Sequence, residues 1–244
     1  MSVNACAALV ERSDPDRFRA AMASPVAARP LLFALYAFNV EVTRAPWVTK
    51  EAMIAEMRLQ WWRDALEEIG AGGTVRKHEV VDALAAVLDP EGATSLDALV
   101  MARRWDVYSD AFEDAKHLDE YIDATSGNLM WTAARLLGGS DEAAVRNYAY
   151  GVGIANLLRA VPDLEERGRK PLVIGTTDGV RNLAAAALNR LQKGDAPKAV
   201  KLAGFQSKHT LRQIISHPKL VAEGRLDMGP LRQAATLAWM ALGR

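Results

Sequence analysis

Residues 49–70 read TKEAMIAEMRLQWWRDALEEIG. Ile54, Met57, Trp61 and Ala65 recur at helical spacing, and Leu59, Trp62, Leu66 and Ile69 form a second stripe beside them. Thr49 reads as the cap that opens the helix, and Gly70, Gly72 and Gly73 as its stop. Two adjoining apolar stripes make a wide face, so the segment predicts a helix at the centre of an all-α fold.

The same period governs the flanks. Asp14-Pro15 reads as an N-cap and a first-turn proline, opening a short helix to Met22. The apolar stretch Leu31 to Thr43 lies between Pro30 and Pro46. Further helices are expected over about 76–88, 95–114, 117–137, 141–161, 177–192, 205–216 and 229–241. Turn signals separate them, among them Asp89-Pro90-Glu91-Gly92, Gly138-Gly139-Ser140, Gly194-Asp195-Ala196-Pro197 and His217-Pro218. No period-two run is long enough for a strand, and there is no repeat, low-complexity segment or linker. The reading is one all-α domain, 1–244, a bundle of about eight to ten helices.

Half of the 244 residues are hydrophobic, enough to fill a sizeable core and to exclude a disordered chain. No apolar run is expected to reach the ~18 residues of a membrane span, and the N-terminus lacks a basic-then-apolar leader. Cys6 is the only cysteine, which excludes an internal disulfide and a cysteine metal site. A reducing, cytoplasmic location is expected. Net charge is zero but uneven. Residues 1–165 carry 16 Lys/Arg against 25 Asp/Glu, and residues 166–244 carry 14 against 5. Such a split reads as solvated faces, as two halves that attract, or as a basic surface for anionic lipid or an acidic partner. No nucleic-acid partner is expected.

Common catalytic signatures are missing: no phosphate-binding glycine loop, no paired cysteines, no HExxH. His78, His117, His209 and His217 are too scattered for a ligand set and read as surface or helix-end residues. The carboxylate pairs Asp64/Glu68, Asp110/Asp114 and Asp119/Asp123 have the four-residue spacing of one helix face, but a solvated surface gives such pairs by chance. Of the three, Asp110/Asp114 is the first to test if activity is found. Trp61-Trp62 reads as core, and Arg63 as a partner of Glu67.

Two segments carry more. Phe33 to Val42 (FALYAFNVEV), followed by Glu56 to Leu66 (EMRLQWWRDAL), resembles the opening of squalene/phytoene synthase family proteins, and Tyr150 to Arg159 (YGVGIANLLR) is similar to their later helix. Tyr121 to Gly138 resembles the stretch between, and residues 230–244 the end of short bacterial members. In active members, the resemblance implies, aspartates on facing helices hold Mg²⁺ and neutralise a prenyl diphosphate as it ionises. Here Thr43 and Arg44 stand where the first set of acids belongs, with only Glu41 nearby, and Ala160 stands in the second. Arg44 is expected to put a positive charge at the metal's place. The stretches Asn39-Val40-Glu41 and Leu158-Arg159-Ala160-Val161-Pro162 resemble a subgroup of the family that includes the mitochondrial complex I assembly factor and likewise lacks the acids.

What the resemblance implies is therefore an isoprenoid-synthase-like bundle with no catalytic or metal residue assigned. Its partners would be complex I subunits or other assembly factors, with an isoprenoid or lipid ligand and a peripheral contact at the inner membrane left open. Two other readings stand beside it: a prenyltransferase condensing two prenyl diphosphates, the only case that needs Mg²⁺ as cofactor, and an isoprenoid- or lipid-binding protein. The cavity candidates are Tyr36, Asn39, Glu41, Arg58, Trp62, Tyr121, Gly127, Asn156 and Arg159. Arg58 and Arg159 are the ones expected to meet an anionic ligand. Tyr36, Arg58, Tyr121 and Arg159 are expected to line one cavity, and Gly127, Gly151 and Gly153 to let helices approach closely around it.

Overall fold

The computed structural model of the chain describes residues 2–49, 51–108 and 110–243. Among these there are no strands and fourteen α-helices. They are α1 (Ser2–Ser13), α2 (Pro15–Ala23), α3 (Arg29–Arg44), α4 (Ala52–Gly70), α5 (Glu79–Ala85), α6 (Pro90–Arg103) and α7 (Ala115–Ile122), followed by α8 (Asn128–Leu136), α9 (Glu142–Glu166), α10 (Thr177–Lys193), α11 (Lys198–Lys201), α12 (Ser207–Ser216), α13 (Lys219–Ala222) and α14 (Pro230–Leu242). Tight 3₁₀ turns extend α3 through Ala45–Trp47 and α6 through Arg104–Val107, and a π-helical turn, Asp123–Gly127, joins α7 to α8.

The expected helices are all present, and α1, α11 and α13 are added. The Asp14 carboxylate caps α2 by accepting from the Arg17 N–H at 3.0 Å. Thr49 does not cap α4, which begins after Glu51; its hydroxyl instead accepts from the Glu51 N–H at 3.1 Å. The helix expected to reach residue 114 stops at Arg103 and tightens, because Tyr108 turns the backbone to an extended conformation. Asp110 therefore lies outside any helix, and Asp110 and Asp114 do not share a helix face. Conversely α9 runs through Pro162 to Glu166.

Two hydrophobic clusters form the core. The first surrounds α3, on which every residue from Leu31 to Val40 is buried, and draws in α1, α4, α5, α6 and α8. The second joins α7, α10, α12 and α13. Helix α9 serves both, giving Val145, Tyr148, Ala149 and Val152 to the first and Ile154, Ala155, Leu158 and Val161 to the second. Helix α3, apolar along most of its length, is buried on nearly every side, and α9 links the two clusters.

Two expectations are corrected here. The 22-residue stretch Val26–Trp47 is long and apolar enough to cross a membrane by composition, but 67% of its apolar window is buried inside the fold, as a core helix requires. Helix α4 is not central. Leu59, Trp62, Leu66 and Ile69 are buried, whereas Ile54 and Met57 are exposed. A helix at the margin of the bundle has neighbours on one side only, so the first half of its other stripe faces solvent, while Trp61 and Ala65 pack on the core.

Candidate functional site

A cavity of about 360 Å³ lies between the two clusters, walled by α2, α3, the 104–107 turn, α7, the π turn, α9 and residues 203–207. That is the size of a small-molecule site. Asn39 and Thr43 reach it from α3, and Gly153, Asn156, Leu157 and Ala160 from α9. Each set repeats at three and four residues, so each lies on one helix face.

Thr43 and Ala160 therefore stand on the cavity wall at the positions where the resemblance asks for acids. Arg44 does not: it turns away to a second groove and pairs with Glu41 at 3.3 Å. The expected positive charge at the metal's place is thus absent, since neighbouring positions on a helix point about 100° apart.

The carboxylates that do line the cavity are already engaged. Asp14 pairs with Arg17 at 2.8 Å, and Asp16 with Arg19 at 2.6 Å and Arg159 at 3.1 Å. Asp106 pairs with Arg103 at 3.0 Å and accepts from the Tyr121 hydroxyl at 2.7 Å. Among the described residues no group of three or more His, Cys, Asp or Glu is placed to hold a metal ion. The wall does not fit a diphosphate-bound Mg²⁺ cluster: the acids at the motif positions are gone and the remaining ones are neutralised by arginines.

What the wall offers instead is hydrogen-bonding capacity. The Thr43 hydroxyl, Arg103 Nε, Trp105 Nε1 and Gln206 Nε2 are buried without a protein partner, and all four residues line the cavity. Three of the four atoms are N–H donors. Beside them Arg103 donates to the Tyr121 oxygen at 2.6 Å, closing a triad with Asp106. Burial drives the Tyr121 pKa well above the usual phenol range, with Arg103 opposing and Asp106 adding, so the phenol stays protonated. Trp105 stacks on Phe112 with ring centres 4.0 Å apart. The site joins an apolar aromatic wall to unpaired donors.

The candidates divide. Asn39, Tyr121, Asn156 and Arg159 line this cavity. Tyr36 does not; it is buried in the first core cluster beneath Arg17, whose guanidinium sits 5.6 Å from the ring centre. Arg58 is exposed and, with Glu41 and Trp62, lines the second groove of about 490 Å³ beside α4. The single cavity expected to hold Tyr36, Arg58, Tyr121 and Arg159 is thus corrected to two separate spaces, because α4 lies at the margin. Gly127 lies in the π turn, where a Cβ would come within 2.8 Å of the Asp123 carboxylate. At Gly153 a Cβ would meet Ile122 at 2.8 Å, so this glycine lets α9 approach the α7–π segment.

Three other sequence readings change. Arg63 pairs with Asp97 of α6 at 2.7 Å rather than with Glu67. Asp64 and Glu68 both face Arg76, at 3.7 and 2.8 Å. Asp119 accepts from Tyr150 at 2.6 Å while Asp123 pairs with Arg146 at 3.0 Å, so that spacing marks structural contacts. Arg103, Trp105, Asp106 and Gln206 are absent from the sequence-derived candidates. The run Arg103-Arg104-Trp105-Asp106 was the available signal, since it interrupts the apolar period of the expected helix.

Comparison with known proteins gives three findings. The sequence profile of the squalene/phytoene synthase family matches residues 10–173. Among curated proteins, the complex I assembly factor 6 homologue of Drosophila melanogaster is 30% identical over 177 residues, covering 69% of this chain and 53% of that protein. Human complex I assembly factor 6 is 26% identical over 161 residues, covering 64% and 48%. The chain thus spans about half the length of these relatives. Among solved structures, a dehydrosqualene synthase in complex with a ligand superposes with a TM-score of 0.82 at 16% identity, over 98% of this chain and 95% of that one. A squalene synthase from Alicyclobacillus acidocaldarius gives a TM-score of 0.60 at 18% identity, over 98% and 92%. These two likenesses establish the fold.

Proposed function

The chain belongs to the squalene/phytoene synthase family, and from that premise we propose that it acts without catalysis, in the assembly of respiratory complex I. One observation carries the non-catalytic part: Thr43 and Ala160 face the cavity where metal-binding acids would be needed, and every wall carboxylate is tied to an arginine. Without acids to hold a metal ion, the wall lacks the cation that would neutralise a departing diphosphate in active members, and Arg103 and Arg159 are already paired with Asp106 and Asp16. The assembly part is supported by the relatives' names, complex I assembly factor 6, at 24–30% identity. Its partners would be complex I subunits or other assembly factors, met in the cytoplasm or peripherally at the inner membrane. Deleting the gene should lower assembled complex I and NADH oxidation while squalene, carotenoid and hopanoid levels hold. Normal complex I with a lost isoprenoid product would reverse the assignment and favour a prenyltransferase.

A second reading is favoured by the unpaired polar atoms. Buried donors without acceptors cost about 1–3 kcal/mol each, which a bound ligand would offset. The cavity suits a lipid or isoprenoid whose head carries acceptor oxygens for Arg103, Trp105 and Gln206. Mass spectrometry of the purified chain tests it: a stoichiometric lipid that is lost in Gln206→Leu supports this reading, and ligand-free protein in both removes it.

A further inference from the structure

Helix α14 has no buried residue along its whole length. It rests on α2 and the 202–204 turn, and Leu237 and Met240 are half-buried. Its outer side is apolar. Leu231, Ala235, Ala238 and Leu242 follow one another at intervals of four, three and four residues, with Trp239 beside them, and all five are exposed. Leu231 is 87%, Trp239 75% and Leu242 83% accessible. Such a stripe standing in water calls for an occupant.

The charge around the stripe says which. Helix α14 carries no acidic residue, and its one charge is Arg232. At its far end the Lys198 ammonium donates to the Gly243 carbonyl at 2.8 Å. Lys208 and Arg212 of α12, the helix whose His209 feels the Arg232 charge, are both exposed. The 198–232 stretch has seven Lys/Arg against two Asp/Glu, and of the seven Lys201 and Arg225 are paired with Asp195 and Glu223. A second copy docking here would set positive against positive, which opposes association. An anionic surface meets both features at once. Leu and Trp enter the headgroup boundary while the flanking lysines and arginines meet lipid phosphates.

We propose that the outer stripe of α14, flanked by Lys198 and Arg232, is a docking surface for an anionic lipid bilayer on which the helix lies flat. The proposal deepens the peripheral membrane contact in the proposed function by naming the surface that makes it. It stands or falls apart from complex I, because its readout is lipid binding by the purified chain.

The test is co-sedimentation of the full chain with vesicles of phosphatidylcholine alone or with 30% phosphatidylglycerol. The expected result is at least a tenfold preference for the anionic vesicles, lost at high salt. Leu231→Ser/Trp239→Ser/Leu242→Ser should reduce binding at least tenfold, and Lys198→Glu/Arg232→Glu should abolish the preference for anionic lipid. Since none of these five side chains is buried, both variants should melt within a few degrees of the parent. Equal binding by the parent and the triple-serine variant would overturn the proposal. So would a parent dimer that this variant converts to monomer without either form sedimenting with lipid; that result would assign the stripe to a second copy.

Discussion

Arg103 has two tasks at the cavity, neutralising Asp106 and donating to Tyr121 at 2.6 Å, and its Nε is buried without a partner. Burial opposes its charge, but Tyr121 and Asp106 outweigh that and raise its pKa, so it stays a cation. Arg103→Met would leave the buried Asp106 charge with only the phenol as partner. The expected loss is about 3 kcal/mol in urea unfolding, and adding Asp106→Asn should recover part of it. Cys6 is the opposite case, a group kept inert. Burial, aided by the charge of Glu79, pushes its thiol up to about 11, so almost no thiolate exists at neutral pH. Native protein at pH 8 should leave a disulfide reagent unreacted over the time in which the urea-unfolded chain titrates one thiol. Fast labelling of the native chain would mean that α1 opens readily.

Helix α9 shows how far an element depends on single positions. At Gly151 a Cβ would stand 2.4 Å from the Leu191 Cβ and 3.0 Å from the Ala187 carbonyl, both on α10. Backbone cannot move aside without parting the two helices, so Gly151→Ala should lower stability by about 1–3 kcal/mol. Gly73→Ala is the control. Open space surrounds Gly73, and an unchanged or slightly higher melting temperature is expected there. The glycine-bearing stretch from Tyr150 to Arg159 was legible in the sequence as a close-packing element. The π turn at Asp123–Gly127 was not. A one-residue change in hydrogen-bond register leaves no mark on composition, yet it sets Thr125 and Ser126 against the cavity. Helix α1 was missed for another reason: only Cys6 and Val10 of its twelve residues are buried, too sparse a stripe to stand out.

At the scale of the whole molecule, an isoprenoid-synthase frame surrounds a cavity with Thr43 and Ala160 on its wall where the resemblance asks for acids. The expected outcome with farnesyl diphosphate and Mg²⁺ is no diphosphate release above the rate without protein. Steady release that stops when Mg²⁺ is chelated would show that carboxylates outside the motif positions had taken over the metal. Asp14, Asp16 and Asp106 would then have to part from their arginines, and variants at those three positions would locate the change.

The sequence by itself determined the helical class, the order of the elements and the loss of acids at Thr43 and Ala160. These follow from local period, caps and residue type, which are written along the chain. Only the tertiary structure decided which side of each helix meets which neighbour. Tyr36, Arg44 and Arg58 lie within or beside the family-like stretches, yet they belong to the core and to an outer groove. Arg103 and Trp105, and Gln206 much further along the chain, lie outside every family-like stretch, yet they share a cavity wall with Asn39 and Asn156. A helix has several faces and a period does not say which partner each will find. That choice is made by packing all the helices at once into the two clusters that α9 links, so the wall of the cavity could be read only after the bundle had closed.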